Sequence, residues 1–373
     1  MVRIKKLSCA VLASCVLVSL SGCRIPFINI SAKKAAKELA QEISVTDWEG
    51  DVPDGMEVTY VVSREITLNY SRNRYEYQYE YDSYGRRTGS KDISGNDASE
   101  THVIYNDDGT IAERNFVAKK SPSGYKPRDY TFTYTYNDKG RLVSYNAVFI
   151  EPYGDRARYE ESGEFVYENG HLVSDGDNEY DYNFDMLPYY EYVVEVNEDS
   201  DNVFLVAKYY YDENNVRTAR EINGNRTDYQ YEDGVLTGWV LTYSMGTQYV
   251  YDAEGNSLCV IDADGNTSQS WTYNDHGDVI SYEIINIAGL AGSTSTYTYD
   301  YDSDGNKVKV TEEYRRERDG KEIVSTYVTT YEYEERGLLV SEVHMNGKSF
   351  DRITVYSYEA ILVPQAKKYN QGY

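Results

Sequence analysis

The feature that most constrains this chain is a short repeated unit, in which a tyrosine is followed by Asp, Asn or Glu and, after a short variable stretch, by a glycine. Two consecutive copies occupy residues 249–281. Ten units, spaced 20 to 44 residues apart, are anchored at Tyr81, Tyr105, Tyr136, Tyr167, Tyr211, Tyr231, Tyr251, Tyr273, Tyr301 and Tyr333. Uneven spacing is typical of successive hairpins with connections of different length, and it argues against a rigid solenoid.

Most units have the residues of a tight turn that closes four positions after the tyrosine. In the unit at Tyr136, Asn137 suits the first corner of a type I turn, where its side chain accepts a backbone N–H. Gly140 then supplies the left-handed residue that closes the hairpin. The unit at Tyr211 has Asn215 there, the next best residue for a positive φ. The sequence therefore predicts turn glycines at Gly85, Gly109, Gly140, Gly255, Gly277, Gly305 and Gly337.

Two units are one residue shorter, and their turn chemistry changes with their length. They contain Asn169-Gly170 and Asp233-Gly234, the residue pairs that a two-residue type I′ hairpin favours. Gly170 and Gly234 complete the set of predicted turn glycines.

Aromatic and polar residues alternate before the turns, as in Tyr75 to Tyr81, so one face of each strand is aromatic and the other is polar. Such a sheet buries one face only and has to curl or pack against itself. The turn lengths also predict the residues that lie opposite the tyrosines. In six units these are aliphatic: Ile111, Leu142, Leu172, Leu236, Val279 and Leu339.

These units resemble the YD-repeat, or Rhs-type, family, most closely in the sequence YNDKGRLVSY (136–145) and in residues 251–277. The resemblance covers about residues 70–341. It implies an all-β fold, a curled antiparallel sheet built from consecutive YD-repeat hairpins over residues 55–363. In the largest members of the family the sheet wraps into a shell around a toxin. This sequence has no stretch like the family's Asp-Pro-rich core terminus, so we do not expect that role.

The first residues predict export. Residues 1–22 contain Arg3 and two lysines, then an apolar run, and end in small residues before Cys23. The sequence Leu-Ser-Gly-Cys at 20–23 resembles the lipobox of bacterial lipoproteins, which implies lipidation of Cys23 and attachment to the cell membrane or outer membrane, facing the extracellular or periplasmic side. An ordinary signal peptide or an uncleaved anchor is the alternative.

The segments around the repeats are short. Residues 23–30 are expected to be a tether close to the lipid, and residues 31–45 a short N-terminal helix with Ser31 as its cap. This helix either lies on anionic lipid through its lysines or serves as a spacer or docks on the first strands; we favour the second group of interpretations. Residues 364–373 are a polar tail.

Charge and motifs limit the function. The formal net charge of -25 repels phosphates, so we expect no nucleic-acid partner. The sequence lacks His-Glu-x-x-His, Gly-x-Ser-x-Gly, a phosphate loop and Cys-x-x-Cys. We therefore expect a non-catalytic binding or structural module, with a surface protein or polysaccharide as partner, and no catalytic residue is assigned. A hydrolase with an unrecognised carboxylate pair is an alternative, because acidic residues are abundant.

Two ligand hypotheses remain. Asp300, Asp302 and Asp304 form the D-x-D-x-D-G opening of many calcium loops, but Thr311 replaces the bidentate glutamate, and we favour an ordinary repeat turn without a cofactor. Trp239 and Trp271 could stack on the rings of a polysaccharide if they face outward, or they could belong to the core. The sequence does not distinguish the two faces.

Overall fold

The computed structural model describes residues 38–71, 73–94, 99–118, 128–151, 158–180, 189–196, 204–285, 292–318 and 320–364. These residues are almost all in strands or turns, and only 38–40 are helical. The predicted all-β, antiparallel fold is confirmed. Cys23, the signal segment, the tether and residues 365–373 lie outside the described residues.

The described residues contain 25 strands. The first eleven are β1 (Val45–Thr46), β2 (Met56–Asn69), β3 (Arg74–Tyr81), β4 (Arg87–Asp92), β5 (Ser99–Tyr105), β6 (Ile111–Ala118), β7 (Asp129–Tyr136), β8 (Leu142–Ile150), β9 (Arg158–Glu164), β10 (Val166–Glu168) and β11 (His171–Ser174). The others are β12 (Tyr189–Val196), β13 (Phe204–Tyr211), β14 (Arg217–Ile222), β15 (Asn225–Glu232), β16 (Val235–Thr242), β17 (Gln248–Asp252), β18 (Ser257–Ile261), β19 (Thr267–Tyr273), β20 (Val279–Ile284), β21 (Ser293–Tyr301), β22 (Lys307–Arg318), β23 (Lys321–Tyr333), β24 (Leu339–Asn346) and β25 (Ser349–Pro364).

The centre of the main sheet is the pair formed by β2 and β25. These strands run antiparallel from Met56 opposite Pro364 to Asn69 opposite Arg352. Beyond β2 the strands follow in chain order to β9, and beyond β25 they follow in reverse order to β12. In the described residues no pairing joins β9 to β12, so the sheet has two free edges and is not closed. β10 and β11 form a separate hairpin.

The nine repeat turns of the main sheet lie at the same end of its strands, and the tenth, after Tyr167, closes the separate hairpin of β10 and β11. Each turn follows a strand that ends at a repeat tyrosine or one residue after it, and consecutive strands of the main sheet are antiparallel. The connections between one repeat hairpin and the next lie at the opposite end. The uneven spacing of the repeats comes from strands and connections of different length. For example, Tyr301 and Tyr333 are far apart because β22 has 12 residues and β23 has 13.

The two faces of the sheet carry different side chains. Residues directly opposite one another in neighbouring strands point to the same face, which places Tyr77, Glu65 and Tyr356 together. Traced across the sheet, this face carries the repeat tyrosines, and we call it the tyrosine face. The other face carries Ile66 and Val355, and we call it the helix face.

The helical turn at residues 38–40 docks on the helix face. Leu39 is 3% exposed and packs with Ala40 against Ile66, Val343 and Ile353 at the centre of the sheet. Docking on the first strands was one of the favoured interpretations of this segment.

The predicted end of that helix at residue 45 is wrong. Val45 belongs to β1, which pairs in parallel with β25, opposite Tyr358. Hydrogen bonds to a neighbouring strand replace those that a longer helix would make, including the bond from the Tyr358 N–H to the Ser44 carbonyl at 2.9 Å.

The two ends of the sheet overlap. Val194 and Val206, opposite each other on β12 and β13, lie on the helix face. They pack against the cluster that contains Phe132, Leu142 and Phe149, which lies on the tyrosine face of β7 and β8. The helix face of one end thus covers the tyrosine face of the other, as in a scroll, and the predicted curl has this form.

Candidate functional site

The repeat turns hold the first side chains of interest. At Asn137 the Oδ1 atom accepts the N–H groups of Lys139 at 3.0 Å and Arg141 at 3.1 Å. The N–H of Gly140 donates to the Asn137 carbonyl at 3.0 Å, and Gly140 has a φ of 71°. The side chain after the tyrosine therefore uses its acceptor oxygen to bind backbone N–H groups of the turn, and its role is structural.

The same conformation recurs through the chain. Positive φ is found at Gly85, Gly109, Gly140, Gly170, Gly234, Gly255, Gly277, Gly305 and Gly337. Asn215, which replaces glycine in its unit, has a φ of 63°. In the short turns Asn169 and Asp233 also have positive φ, at 51° and 50°, as a type I′ turn requires. The six predicted tyrosine–aliphatic pairs are all present in the register, for example Tyr136 opposite Leu142.

The repeat tyrosines make a second contact that sequence reasoning missed. In a long hairpin the residue opposite the tyrosine is followed by a bulge, and the backbone ladder to the next strand begins two residues further on. The carbonyl of that opposite residue is reached instead by a phenol. Tyr105 donates to the carbonyl of Arg87, which lies opposite Tyr81.

The same phenol contact joins neighbouring hairpins at six further places, at four of them through a repeat tyrosine and at two through Tyr299 and Tyr358. It occurs from Tyr167 to Leu142, Tyr231 to Arg217, Tyr273 to Ser257, Tyr299 to Val279, Tyr333 to Lys307 and Tyr358 to Leu339, at 2.5 to 3.0 Å. A phenylalanine could pack in the same place but could not donate this hydrogen bond. The repeat thus requires the hydroxyl as well as the ring.

The tyrosine face brings both candidate tryptophans to one side of the sheet. Trp239 stacks on Tyr251 with ring centroids 5.4 Å apart, and Trp271 stacks on Tyr282 at 4.9 Å. Both are half-buried, so neither belongs to a sealed core. They lie on β16 and β19, three strands apart, which corresponds to about 14 Å.

Two carboxylates lie on the tyrosine face at the centre of the sheet. Glu65 is opposite Tyr356 on β25, and Glu342 is opposite Thr354 on the same strand. Burial, with a further contribution from Glu342, raises the pKa of Glu65, although the Tyr79 hydroxyl donates to it at 3.5 Å. A carboxyl group with a raised pKa, such as that of Glu65, is a feature of hydrolase sites, but structural networks of charged groups produce such shifts as well.

Glu342 differs from Glu65 because its Oε1 atom lies 3.1 Å from Nε2 of His344. Nδ1 of the same ring lies 2.9 Å from the hydroxyl of Thr329. The carboxylate of Glu342 is therefore held within its own network on β23 and β24.

The three aspartates of the calcium hypothesis do not converge. Asp300 points to the helix face, where it lies 3.2 Å from the amine of Lys309. The side-chain amide of Asn306 donates to Asp302 at 3.0 Å, and the Oδ1 atom of Asp302 also accepts the N–H groups of Asp304 and Asn306. These hydrogen bonds, the first above all, hold the pKa of Asp302 below its usual range. In the part of the chain that the structure describes, no group of three His, Cys, Asp or Glu side chains is arranged to hold a metal ion.

A cavity of about 440 Å³ lies where the two ends of the sheet overlap. It is bounded by the turns that follow Tyr105 and Tyr136, by Tyr167 on β10 and by β12 from Glu191 onward. We call it the seam cavity. No motif in the sequence points to it, because it is formed by the overlap of strands that are distant along the chain.

No helix in the described residues is both long enough and apolar enough to cross a membrane. Cys23, the predicted lipidation site, lies outside those residues.

Comparisons with known proteins give distant similarities only. No family model matches the sequence, and no curated protein matches it. Among solved structures, the TcdB2-TccC3-Cdc42 complex matches over 76% of this chain with 15% identity and a TM-score of 0.26. This chain spans 19% of the length of that one.

Two porin-like proteins are also similar. The protein from Bacteroides uniformis matches over 84% of this chain and 100% of its own, with 12% identity and a TM-score of 0.26. The protein from Bacteroides vulgatus matches over 80% of this chain and 98% of its own, with 12% identity and a TM-score of 0.21. At such values these likenesses carry no argument about function.

Proposed function

We propose that the chain is a cell-envelope lipoprotein that displays a YD-repeat β-sheet as a non-catalytic binding module. The observation that carries this proposal is the tyrosine face. Apart from Tyr358, which is buried, its rings are only half-buried across the centre of the sheet, whereas the ends of the sheet are covered by their own overlap. Aromatic surface that folding leaves partly uncovered is available to a ligand.

The repeat turns support the YD-repeat assignment. Each turn places its tyrosine at or next to the end of a strand, and in five repeats the phenol contact ties that strand to the preceding hairpin, as between Tyr105 and Arg87. This structural role explains why the tyrosine recurs, so the rings between these anchors are the ones left for binding.

The anchor part of the proposal rests on Cys23. Fourteen residues, 24–37, separate it from the helical turn that docks on the helix face. Fully extended, such a tether reaches at most about 50 Å, so the sheet would stay close to the membrane.

A fractionation experiment tests the anchor. Cys23→Ala is expected to move the protein from the membrane to the soluble fraction, while Cys15→Ala, within the signal segment, leaves it in the membrane. Retention of the Cys23→Ala variant would contradict lipid anchoring.

A second, more specific candidate is polysaccharide binding through Trp239 and Trp271. Stacked, half-buried rings about 14 Å apart on one face suit a chain of sugar rings that lies across the strands. Tryptophan fluorescence of residues 24–373 can follow titration with cell-wall and host polysaccharides. Trp239→Ala and Trp271→Ala should each weaken saturable binding, whereas Trp48→Ala, at a tryptophan outside the tyrosine face, should not. Binding that none of the three changes would contradict the assignment.

The same titrations separate the remaining alternatives. Because Asp302 is engaged by its turn and Asp300 by Lys309, we expect neither calcium nor a chelator to change the binding. We also expect no new reducing ends after incubation. If reducing ends are released by the parent protein but not by Glu65→Gln, the protein is a hydrolase and not a binding module.

A further inference from the structure

The seam cavity is independent of the exposed centre of the tyrosine face. Its volume of about 440 Å³ falls within the range usual for small-molecule sites. Its apolar wall comes from both ends of the sheet: Ile111 and Leu142 from the repeat hairpins, and Val194 and Val196 from β12. Tyr167 and Tyr192 add aromatic surface.

Opposite charges lie at the rim of this wall. Nη2 of Arg141 is 3.8 Å from Oε1 of Glu191, and the Arg141 guanidinium lies over the ring of Tyr167 at 5.7 Å. The two side chains are 36% and 25% exposed, so both reach solvent. Nδ1 of His171 also lies 3.8 Å from Oε1 of Glu191. Both distances are longer than a hydrogen bond, which leaves donors on Arg141 and lone pairs on Glu191 for a ligand.

We propose that the seam cavity binds a free α-amino acid with an apolar side chain. The carboxylate of the ligand would accept from Arg141, and its ammonium would donate to Glu191. Its side chain would lie against Leu142, Val194 and Tyr192. A neutral apolar molecule would gain nothing from the charged pair, and a simple anion would be repelled by Glu191, whereas a zwitterion matches both charges and the apolar wall.

Calorimetric titration of residues 24–373 with L-phenylalanine and L-leucine tests this proposal. We expect saturable binding of both. 3-Phenylpropionate lacks the ammonium and 2-phenylethylamine lacks the carboxylate, so each should bind more than about tenfold more weakly than L-phenylalanine, the loss expected when one charge-assisted hydrogen bond is removed.

Three variants locate the site. Glu191→Gln should weaken the binding of L-phenylalanine and leave the binding of 3-phenylpropionate unchanged or tighter. Arg141→Gln should weaken the binding of L-phenylalanine without weakening that of 2-phenylethylamine. Val194→Trp fills the cavity and should abolish binding. Glu160→Gln, on the opposite edge strand and 58% exposed, is the matched control and should bind as the parent does.

Circular dichroism and the thermal midpoint of each variant establish that it is folded before it is titrated. Absence of saturable binding of both amino acids would overturn the proposal. So would equal affinity for L-phenylalanine and 3-phenylpropionate, or binding that survives in folded Val194→Trp. In the first case the Arg141–Glu191 pair is a clamp that holds the two ends of the sheet together.

Discussion

Tyr273 donates its phenolic hydrogen bond to the backbone carbonyl of Ser257 at 2.7 Å, and Ser257 is the residue directly opposite Tyr251 in the preceding repeat. The contact therefore connects two repeat tyrosines through one residue. It also fills the place where the ladder between β18 and β19 stops, at the pair Cys259–Ser270. Five repeats are tied to their predecessors in this way, by Tyr105, Tyr167, Tyr231, Tyr273 and Tyr333.

Tyr273→Phe should lower the free energy of unfolding by about 1 kcal/mol, because the ring is retained while the carbonyl of Ser257 loses its donor. Urea denaturation measures the change. Tyr70→Phe is the control, since Tyr70 is 72% exposed and removal of its hydroxyl should have no measurable effect. Equal effects of the two substitutions would show that the hydroxyl contact does not matter.

Gly140→Val should lower the free energy of unfolding by about 2 kcal/mol, because a β-branched residue resists the φ of 71° at this position. Steric contact plays no part, since a Cβ there would meet nothing within 4 Å. Gly140→Asn should lower the free energy of unfolding by less than about 1 kcal/mol, because Asn215 adopts the same conformation in another repeat. Thermal melts of both variants show whether the loss comes from backbone strain or from any substitution at this position. Similar losses of stability in the two variants would contradict the assignment of a left-handed turn residue.

Glu65→Gln should stabilise the protein at neutral pH. Burial raises the pKa of Glu65 in the folded state above its ordinary value of 4.5, so the folded protein binds this proton more tightly than the unfolded chain does. The parent therefore loses stability as the pH rises from 4.5 through the raised pKa, and the glutamine does not. Urea denaturation above and below 4.5 should show a gain for the variant only at the higher pH.

Glu42→Gln should have the opposite effect on stability and destabilise the protein at neutral pH. A bidentate contact with Arg74, at 2.8 Å to each oxygen, outweighs burial and lowers the pKa of Glu42. Its stabilising contribution is fully present above 4.5 and is lost as the pH falls through the lowered pKa. The variant should be less stable at neutral pH and converge with the parent in acid. A difference that persists in acid would show that packing, and not charge, is responsible.

The sequence was sufficient to predict the local structure. Turn residues such as Asn137 and Gly140 act over a few positions, so their chemistry predicts both the turn and the pair Tyr136–Leu142 that follows from it. The phenol contact also had a signal, because 42 tyrosines against 8 phenylalanines indicates that the hydroxyl is required. Without a structure, its acceptor was not apparent.

The longer-range features could not be predicted from the same patterns. The pairing of β2 with β25, and the overlap of Val194 with Phe132 and Leu142, join segments far apart in sequence, and neither leaves a periodic trace. Alternation along a strand separates its two faces but does not say which one is covered. For the same reason the sequence does not indicate whether the side of the sheet that carries Trp239 and Trp271 is exposed, and it gives no sign of the seam cavity.

The pairing of β2 with β25 determines when this protein can finish folding. During synthesis the chain emerges from its N-terminal side, so β2 is complete first and has to wait for β25, whose Pro364 pairs with Met56. Until then β2 presents one unpaired strand edge while the hairpins behind it form from local contacts. Completion depends on closing a very long loop, which is a slow step. Each newly made chain therefore has an exposed strand edge on β2 until its C-terminal strand is in place, and a protein that shields strand edges would act at that stage.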